Sequence, residues 1–287
     1  MEISRKKNVI TVRYEFTAPD EVFPVMLSSD QHYDSSKCDL PLLKKHLAHA
    51  NENEMLVIMA GDFFDAMQGK DDPRREPEQL KAEYNVSSYF DALVKDAARF
   101  LSSYPKCKFI IGLGNHETSV LKHNGTNLCD RLADKLRDAY QIEAINAPYA
   151  GWVRFMFNEN NKRDSKSLFY HHGQGGNSPV TKGVIQTNRN AASFHADIYL
   201  NGHTHTQYYL AIPHYELNSA GIQVLVNDHH VRTPGYKMNA MENYDEFGYD
   251  IERHPTPSPR GCAIVNFTRP NHSTNRTSIQ INTMLND

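Results

Sequence analysis

Residues 55–65 read MLVIMAGDFFD, an unbroken apolar run that stops at a Gly-Asp-x-x-Asp turn. A run of this length closed by a turn signal is strand-sized, and the absence of alternation suits a strand buried on both faces. The same arrangement recurs on either side. Residues 22–30 read VFPVMLSSD and residues 108–116 read KFIIGLGNH, so each apolar run ends in an aspartate or asparagine. Helical patterns separate these strands. Asp39 to Ala50 is predicted as helix with Pro41 tolerated in its first turn, and Pro77 to Tyr104 as a longer periodic helix. Thr126 is expected to cap a helix reaching Tyr140, with Leu128, Leu132 and Leu136 on one side.

The second half is richer in strands. The runs Gln141–Asn146, Trp152–Phe157, Ser167–His171, Asp197–Asn201, Tyr208–Ile212, Ile222–Val226, Cys262–Thr268 and Ser278–Thr283 are strand candidates, with a helix over Thr181–Phe194. Alternation first and sheet later predicts an α/β layered domain with mixed sheets. The stretch Arg232 to Arg260 has no clear period and reads as an ordered loop or lid, so residues 1–287 are expected to form one domain.

Composition narrows the class. The chain has 287 residues, 39% hydrophobic and 23% charged, which is a globular balance. A net charge of −3 gives no basic excess of the kind a nucleic-acid-coating protein carries. Cys38, Cys107, Cys129 and Cys262 are scattered without a CxxC pair and read as buried or free thiols in a reducing compartment. The first residues, MEISRKKNVITVRYEF, lack the apolar stretch of a signal peptide, and no apolar run is long enough to span a bilayer. A cytoplasmic enzyme is expected.

Five motifs follow in order: Asp30-Gln31-His32, Gly61-Asp62-Phe63-Phe64-Asp65, Gly114-Asn115-His116-Glu117, His171-His172-Gly173 and Gly202-His203-Thr204-His205. Asp30, Asp62 and Asn115 each follow an apolar run, so oxygen ligands from three strand ends can converge, and the later motifs add imidazole nitrogens. Oxygen and imidazole without thiolate suit Mn, Fe, Zn, Ni or Co. Such a set is that of a two-metal site, and two-metal sites hydrolyse phosphate esters. Singly, most of these motifs are ordinary turns or caps. Gly-His-x-His is sharper, with roughly 0.04 occurrences expected by chance in a chain of this composition.

The ordered set resembles the signature of the calcineurin-like metallophosphoesterase superfamily, over residues 30–205. Gly61-Asp62-Phe63-Phe64-Asp65 is similar to the second motif of its double-strand-break-repair nucleases. The segment HHGQGGNSPVTKGVIQTNR, residues 171–189, is similar to phosphoesterases common in phage and bacterial genomes. The resemblance implies an α/β/β/α sandwich with mixed sheets and a metal site at the strand ends. It implies two divalent metal ions, manganese foremost. Asp30, His32, Asp62 and His205 would hold one; Asp62 would bridge to a second held by Asn115, His172 and His203. His116 would be the catalytic histidine, with Glu117 orienting or tuning it. His171 and His172 are adjacent and point to opposite sides if the strand continues through them. The family ligand usually sits directly before glycine, which favours His172 and leaves His171 a supporting position.

The implied reaction is hydrolysis of a phosphoester by a metal-bridging hydroxide. Phosphodiesters of nucleotides or nucleic acid are the expected substrates. A phosphomonoesterase or a non-catalytic scaffold on the same fold is the alternative. Lys182, Arg189 and Arg232 flank the histidine motifs and are candidate phosphate contacts, although an arginine on a helix or loop is usually solvated. The 66–90 insertion carries four positive and five negative side chains, which is no DNA-binding patch. Tyr236, Tyr244 and Phe247 could stack on a base, but packing the late loop down is their expected use. No membrane partner is implied, and a homo-oligomer is compatible with the sequence.

Overall fold

The apolar runs quoted above become the inner strands of two stacked sheets. The computed structural model describes residues 1–18, 20–66, 81–159, 162–175, 184–218, 220–238, 257–269 and 276–286. Its first half contains β1 (Glu2–Lys6), β2 (Val9–Glu15), β3 (Val22–Ser28), α1 (Leu40–Glu52), β4 (Leu56–Met59), α2 (Tyr89–Leu101), β5 (Lys108–Gly112), α3 (Asn115–Asn124) and α4 (Leu128–Tyr140). The second half contains β6 (Ala144–Ala147), β7 (Ala150–Glu159), β8 (Lys162–His171), α5 (Val184–Ser193) and β9 (Ile198–Asn201). It closes with β10 (Tyr208–Leu217), β11 (Gln223–Arg232), β12 (Gly261–Thr268) and β13 (Ser278–Leu285).

One sheet has the order β13-β12-β3-β4-β5-β6, the other β1-β2-β7-β8-β9-β11-β10. Both are mixed. Strands β3 to β6 are parallel neighbours, and β12 runs antiparallel to β3. In the second sheet β8, β9 and β11 are parallel. The expected α/β/β/α layering is present. Leu56 and Ile58 of β4 pack between the sheets, while Val57 and Met59 pack against the helices on the other face. This two-sided burial is why residues 55–60 show no alternation. The outer face of the second sheet is covered near α5, where Phe194 stacks on Phe169 at 3.9 Å. All four cysteines are buried free thiols. Among the described residues, no helix is long and apolar enough to cross a membrane.

Several boundaries differ from the sequence reading. The Pro77–Tyr104 helix is shorter: a 3-10 turn spans Ala82–Tyr84, and α2 starts only after Ser88. Asn85, Ser87 and Ser88 intervene, side chains that compete for backbone hydrogen bonds and so favour turns and caps. The cap of α4 is Asn127, not Thr126; its side chain accepts from the Asp130 N–H at 3.1 Å. Thr126 instead accepts from Arg131 at 3.3 Å. The β10–β11 hairpin is longer than either run suggested. Pro213 lies inside β10, which the sheet tolerates because β10 is its edge. Strands β1 and β2 and helix α3 were not among the predicted elements.

The two sheets meet over an aromatic cluster in which Phe267 lies 4.7 Å from Phe155 and 5.1 Å from Phe157, ring to ring. Phe267 is fully buried. Phe267→Ala is expected to cost about 3–5 kcal/mol of unfolding free energy, read as a lower urea midpoint at unchanged slope.

Candidate metal centre

The parallel strands deliver the five motifs to one edge. Asp30 follows β3, Asp62 follows β4, Asn115 opens α3 after β5, His172 follows β8, and His203 and His205 follow β9. All leave carboxyl ends of strands, where open α/β sheets place their sites. The loops are tied by backbone bonds: Asp30 N–H to Gly61 O at 2.9 Å, His32 N–H to Asp62 O at 3.1 Å, and Gly202 N–H to His172 O at 2.7 Å. Two close approaches require glycine. A Cβ at Gly114 would lie 2.0 Å from Asp62 Oδ1, and one at Gly202 would lie 2.5 Å from Asp30 Oδ2. Asp30, His32, Asp62, His203 and His205 all have left-handed φ, between +46° and +73°. Strain of this kind concentrates at functional sites.

Three groups of ligand atoms result. Asp30, His32 and His205 form one, Asp62, His172 and His203 a second, and His32, Asp65 and His116 a third that shares His32 with the first, the atoms of each lying within 4.8 Å of one another. In the second, His172 Nε2 lies 3.0 Å from Asp62 Oδ2 and 3.1 Å from Asn115 Oδ1, and His203 Nδ1 lies 2.7 Å from the same Asn115 oxygen. In the first, His32 Nε2 and His205 Nε2 are 3.3 Å apart, and His205 Nε2 is 3.5 Å from Asp30 Oδ1. Two imidazole nitrogens at that distance cannot both present lone pairs unless a proton or cation lies between them. Oxygen and nitrogen donors converging in this way fit a divalent cation.

The ring orientations are fixed from behind. His172 Nδ1 faces Ala60 O at 2.8 Å, and His116 Nδ1 faces Asp65 O at 2.5 Å. A carbonyl only accepts, so each Nδ1 carries the proton and each Nε2 is turned to the site. His32 Nδ1 meets Asp65 Oδ1 at 2.8 Å in the same arrangement. His116 Nε2 is 3.8 Å from Asp62 Oδ2, and its backbone N–H donates to Asp62 Oδ1 at 3.0 Å.

Electrostatics follow from this crowding. Burial pushes Asp62 up, but His116 and His172 outweigh it and hold the carboxyl well below its ordinary range. Asp30 is held low in the same way, by His172 and His205 against burial. Burial opposes a charge on His172, yet Asp62 and Asp30 raise it to about 10. Burial lowers His32 to about 4 despite Asp65. His116 is raised because Asp62 and Asp65 overcome its burial. Burial and the charge of Asp62 push Glu117 up to about 7.

The structure brings Asp30, His32, Asp62, Asn115, His116, His172, His203 and His205 together. His171 turns elsewhere: its Nδ1 accepts from the Gly173 N–H at 3.0 Å. Glu117 is fully buried and accepts backbone N–H groups, from Gly114 at 2.8 Å, Phe64 at 2.9 Å and Asp62 at 3.1 Å. Arg232 is buried; its Nη1 donates to Thr204 Oγ1 at 3.1 Å, and its guanidinium covers the Tyr208 ring at 4.9 Å. It braces the His203–His205 turn. Arg189 is exposed on α5, and Lys182, Tyr244 and Phe247 lie outside the described residues. Tyr236 packs inward, its hydroxyl 2.9 Å from His46 Nδ1 and its N–H donating to Asp30 O at 2.9 Å. Sequence reasoning missed Asp65 as the holder of His32 and His116, and Asp34, whose carboxylate accepts from Asp65 and Ala66. The alternation Asp30-x-His32-x-Asp34 was the available signal. It also missed Tyr149, which donates to Gly173 O at 2.7 Å and meets the His172 ring edge-on.

The family model described as calcineurin-like phosphoesterase matches residues 23–207. No curated protein matches the chain. Among solved structures the chain is similar to GAP50, the anchor in the inner membrane complex of Plasmodium. The identity is 12% over 86% of this chain and 81% of that one, with a TM-score of 0.45. It is similar to zinc-complexed Vps29 of Entamoeba histolytica at 13% identity, covering 91% and 98%, with a TM-score of 0.32. A predicted phosphoesterase of Streptococcus pneumoniae TIGR4 shares 12% identity over 86% and 83%, with a TM-score of 0.29.

The charge pairing of His172 has a measurable consequence in metal-stripped protein. Its folded value, about 10, lies above the ordinary ~6.5. Its stabilising contribution is therefore complete below about pH 6.5 and is lost as pH rises through about 10. Urea unfolding of EDTA-treated protein across this window should show a larger stability loss for wild type than for His172→Gln; equal losses contradict the pairing.

Proposed function

Because the chain belongs to the calcineurin-like phosphoesterase family, we propose that it hydrolyses phosphoester bonds at a pair of divalent cations, preferring phosphodiesters of nucleotides or nucleic acid. Membership supports a metal-dependent phosphoesterase, and the clustered His and Asp side chains support metal binding. The dinuclear centre, manganese as its metal and the diester preference are our reading. The observation that carries it is that two of the three clusters of ligand atoms, Asp30–His32–His205 and Asp62–His172–His203, gather at one strand edge without sharing a residue. Asp30, His32 and His205 would hold one cation, Asn115, His172 and His203 the other, with Asp62 serving both.

The cations, when bound, neutralise phosphoryl charge and supply a nucleophile at neutral pH. The side chains around them do the rest. Asp65 and Ala60 carbonyls fix the tautomers of His116 and His172, so the His172 Nε2 is turned toward the place of the second cation and the His116 Nε2 toward the centre. His116 sits between Asp62 and Asp65, which favour its protonated form. A proton at Nε2 can then pass to the leaving oxygen or stabilise charge on the phosphate. Asp65 couples the two halves by holding His32 through its carboxylate and His116 through its carbonyl. The diester preference draws on the likeness of the Gly61–Asp65 motif to repair nucleases. Chemically competent donors at every ligand position favour an enzyme over a scaffold.

His116→Ala should retain bound metal but lose turnover, with a larger loss for poor leaving groups than for nitrophenol. An equal loss across leaving groups argues against proton donation by His116. A screen of Mn²⁺-loaded protein against bis-nitrophenyl phosphate, nitrophenyl phosphate, cyclic nucleotides and single- and double-stranded DNA tests the substrate class. Diester turnover is expected. Turnover of the monoester alone would establish the phosphomonoesterase alternative, and no turnover with metal bound would establish the scaffold.

A further inference from the structure

We infer that two buried carboxylates, Asp34 and Glu117, are positioning residues that clamp the 62–66 loop by its backbone, each serving a different part of the metal centre. The inference rests on the two-cation reading above. The loop leaving β4 departs from extended geometry at once, with φ of +52° at Asp62 and +49° at Ala66. Its N–H groups therefore need partners other than a strand neighbour. Glu117 takes the N–H of Asp62 at 3.1 Å and of Phe64 at 2.9 Å. Asp34 takes the N–H of Asp65 at 2.7 Å and of Ala66 at 2.9 Å. Both carboxylates are buried. Each backbone N–H that a carboxyl oxygen accepts here would otherwise be buried without a partner.

The two clamps reach different ligands. Glu117 also accepts from the Gly114 N–H at 2.8 Å, so one carboxylate joins the loop bearing Asp62 to the loop bearing Asn115. Distortion there would be felt by both proposed cations. Asp34, which also accepts from Tyr89 at 3.2 Å, fixes Asp65. Asp65 in turn orients His32 and His116. Distortion there reaches only the Asp30–His32–His205 group and the proton donor. Glu117 thus acts on the centre through the loop backbone, a different route from direct tuning of His116.

Three variants test this: Glu117→Gln, Glu117→Asp and Asp34→Asn. The glutamine amide turns a donor toward backbone donors. Aspartate keeps the charge but withdraws it by about 1.5 Å. Amide hydrogen exchange in metal-stripped protein should quicken at Asp62, Phe64 and Gly114 in both Glu117 variants, and at Asp65 and Ala66 in Asp34→Asn. Calorimetric Mn²⁺ titration should show both ions bound about 10- to 100-fold more weakly in the Glu117 variants, and only one so weakened in Asp34→Asn. Wild-type affinity in Glu117→Asp would mean that charge and not geometry matters, and would overturn the clamp. So would unchanged exchange at the named amides, or equal weakening of both ions in all three variants. If wild type binds two ions and the variants match it, this inference alone fails; if wild type binds no Mn²⁺, the two-cation reading fails and the metal role of the clamp with it.

Discussion

A buried ion pair, Asp62 against His172 at 3.0 Å, stands where the two sheets meet at their carboxyl edges. Neither side chain has access to water, so each charge needs an opposite charge or a hydrogen bond close by. The surrounding loops satisfy that need. Asp62 accepts the His116 N–H, His172 donates back to Ala60 O, and Asn115 lies against both His172 and His203. Glycine at 114 and 202 lets the loops approach closely enough for this to happen. The fold serves the same end, because β3, β4 and β5 in one sheet and β8 and β9 in the other all finish at this edge.

The fit to a divalent cation follows from that crowding more than from any single residue. Carboxylate, amide oxygen and imidazole donors converge there, and those of Asp30, His32, Asp62, His203 and His205 are held in left-handed backbone positions that ordinary loops avoid. A cation bound at such a place would offset the repulsion among the donors. Residues 67–80 of the 66–90 insertion and residues 239–256 of the late loop lie outside the described residues.

The strand ends and the convergence of their polar residues were legible because each carries two local signals, an apolar run and a polar turn. Asp30, Asp62 and Asn115 could be placed on that basis, and the adjacency of His172 to Gly173 separated it from His171. The hydrogen-bond partners of Asp34, Glu117 and Asp65 were not legible, because they depend on which groups a buried side chain meets across the fold. Arg232 shows the same limit: its sequence position did not show its burial or its contacts with Thr204 and Tyr208. Strands β1 and β2 were missed because their exposed polar residues mask the few apolar positions that reach the core, Ile3, Ile10 and Val12.

The central claim is that two cations share Asp62. Anomalous diffraction from crystals grown with Mn²⁺ tests it most directly. Two peaks per chain are predicted, one among Asp30, His32 and His205 and one among Asn115, His172 and His203, each within coordinating distance of an Asp62 oxygen. A single peak, or a pair in which Asp62 reaches only one ion, would contradict the account.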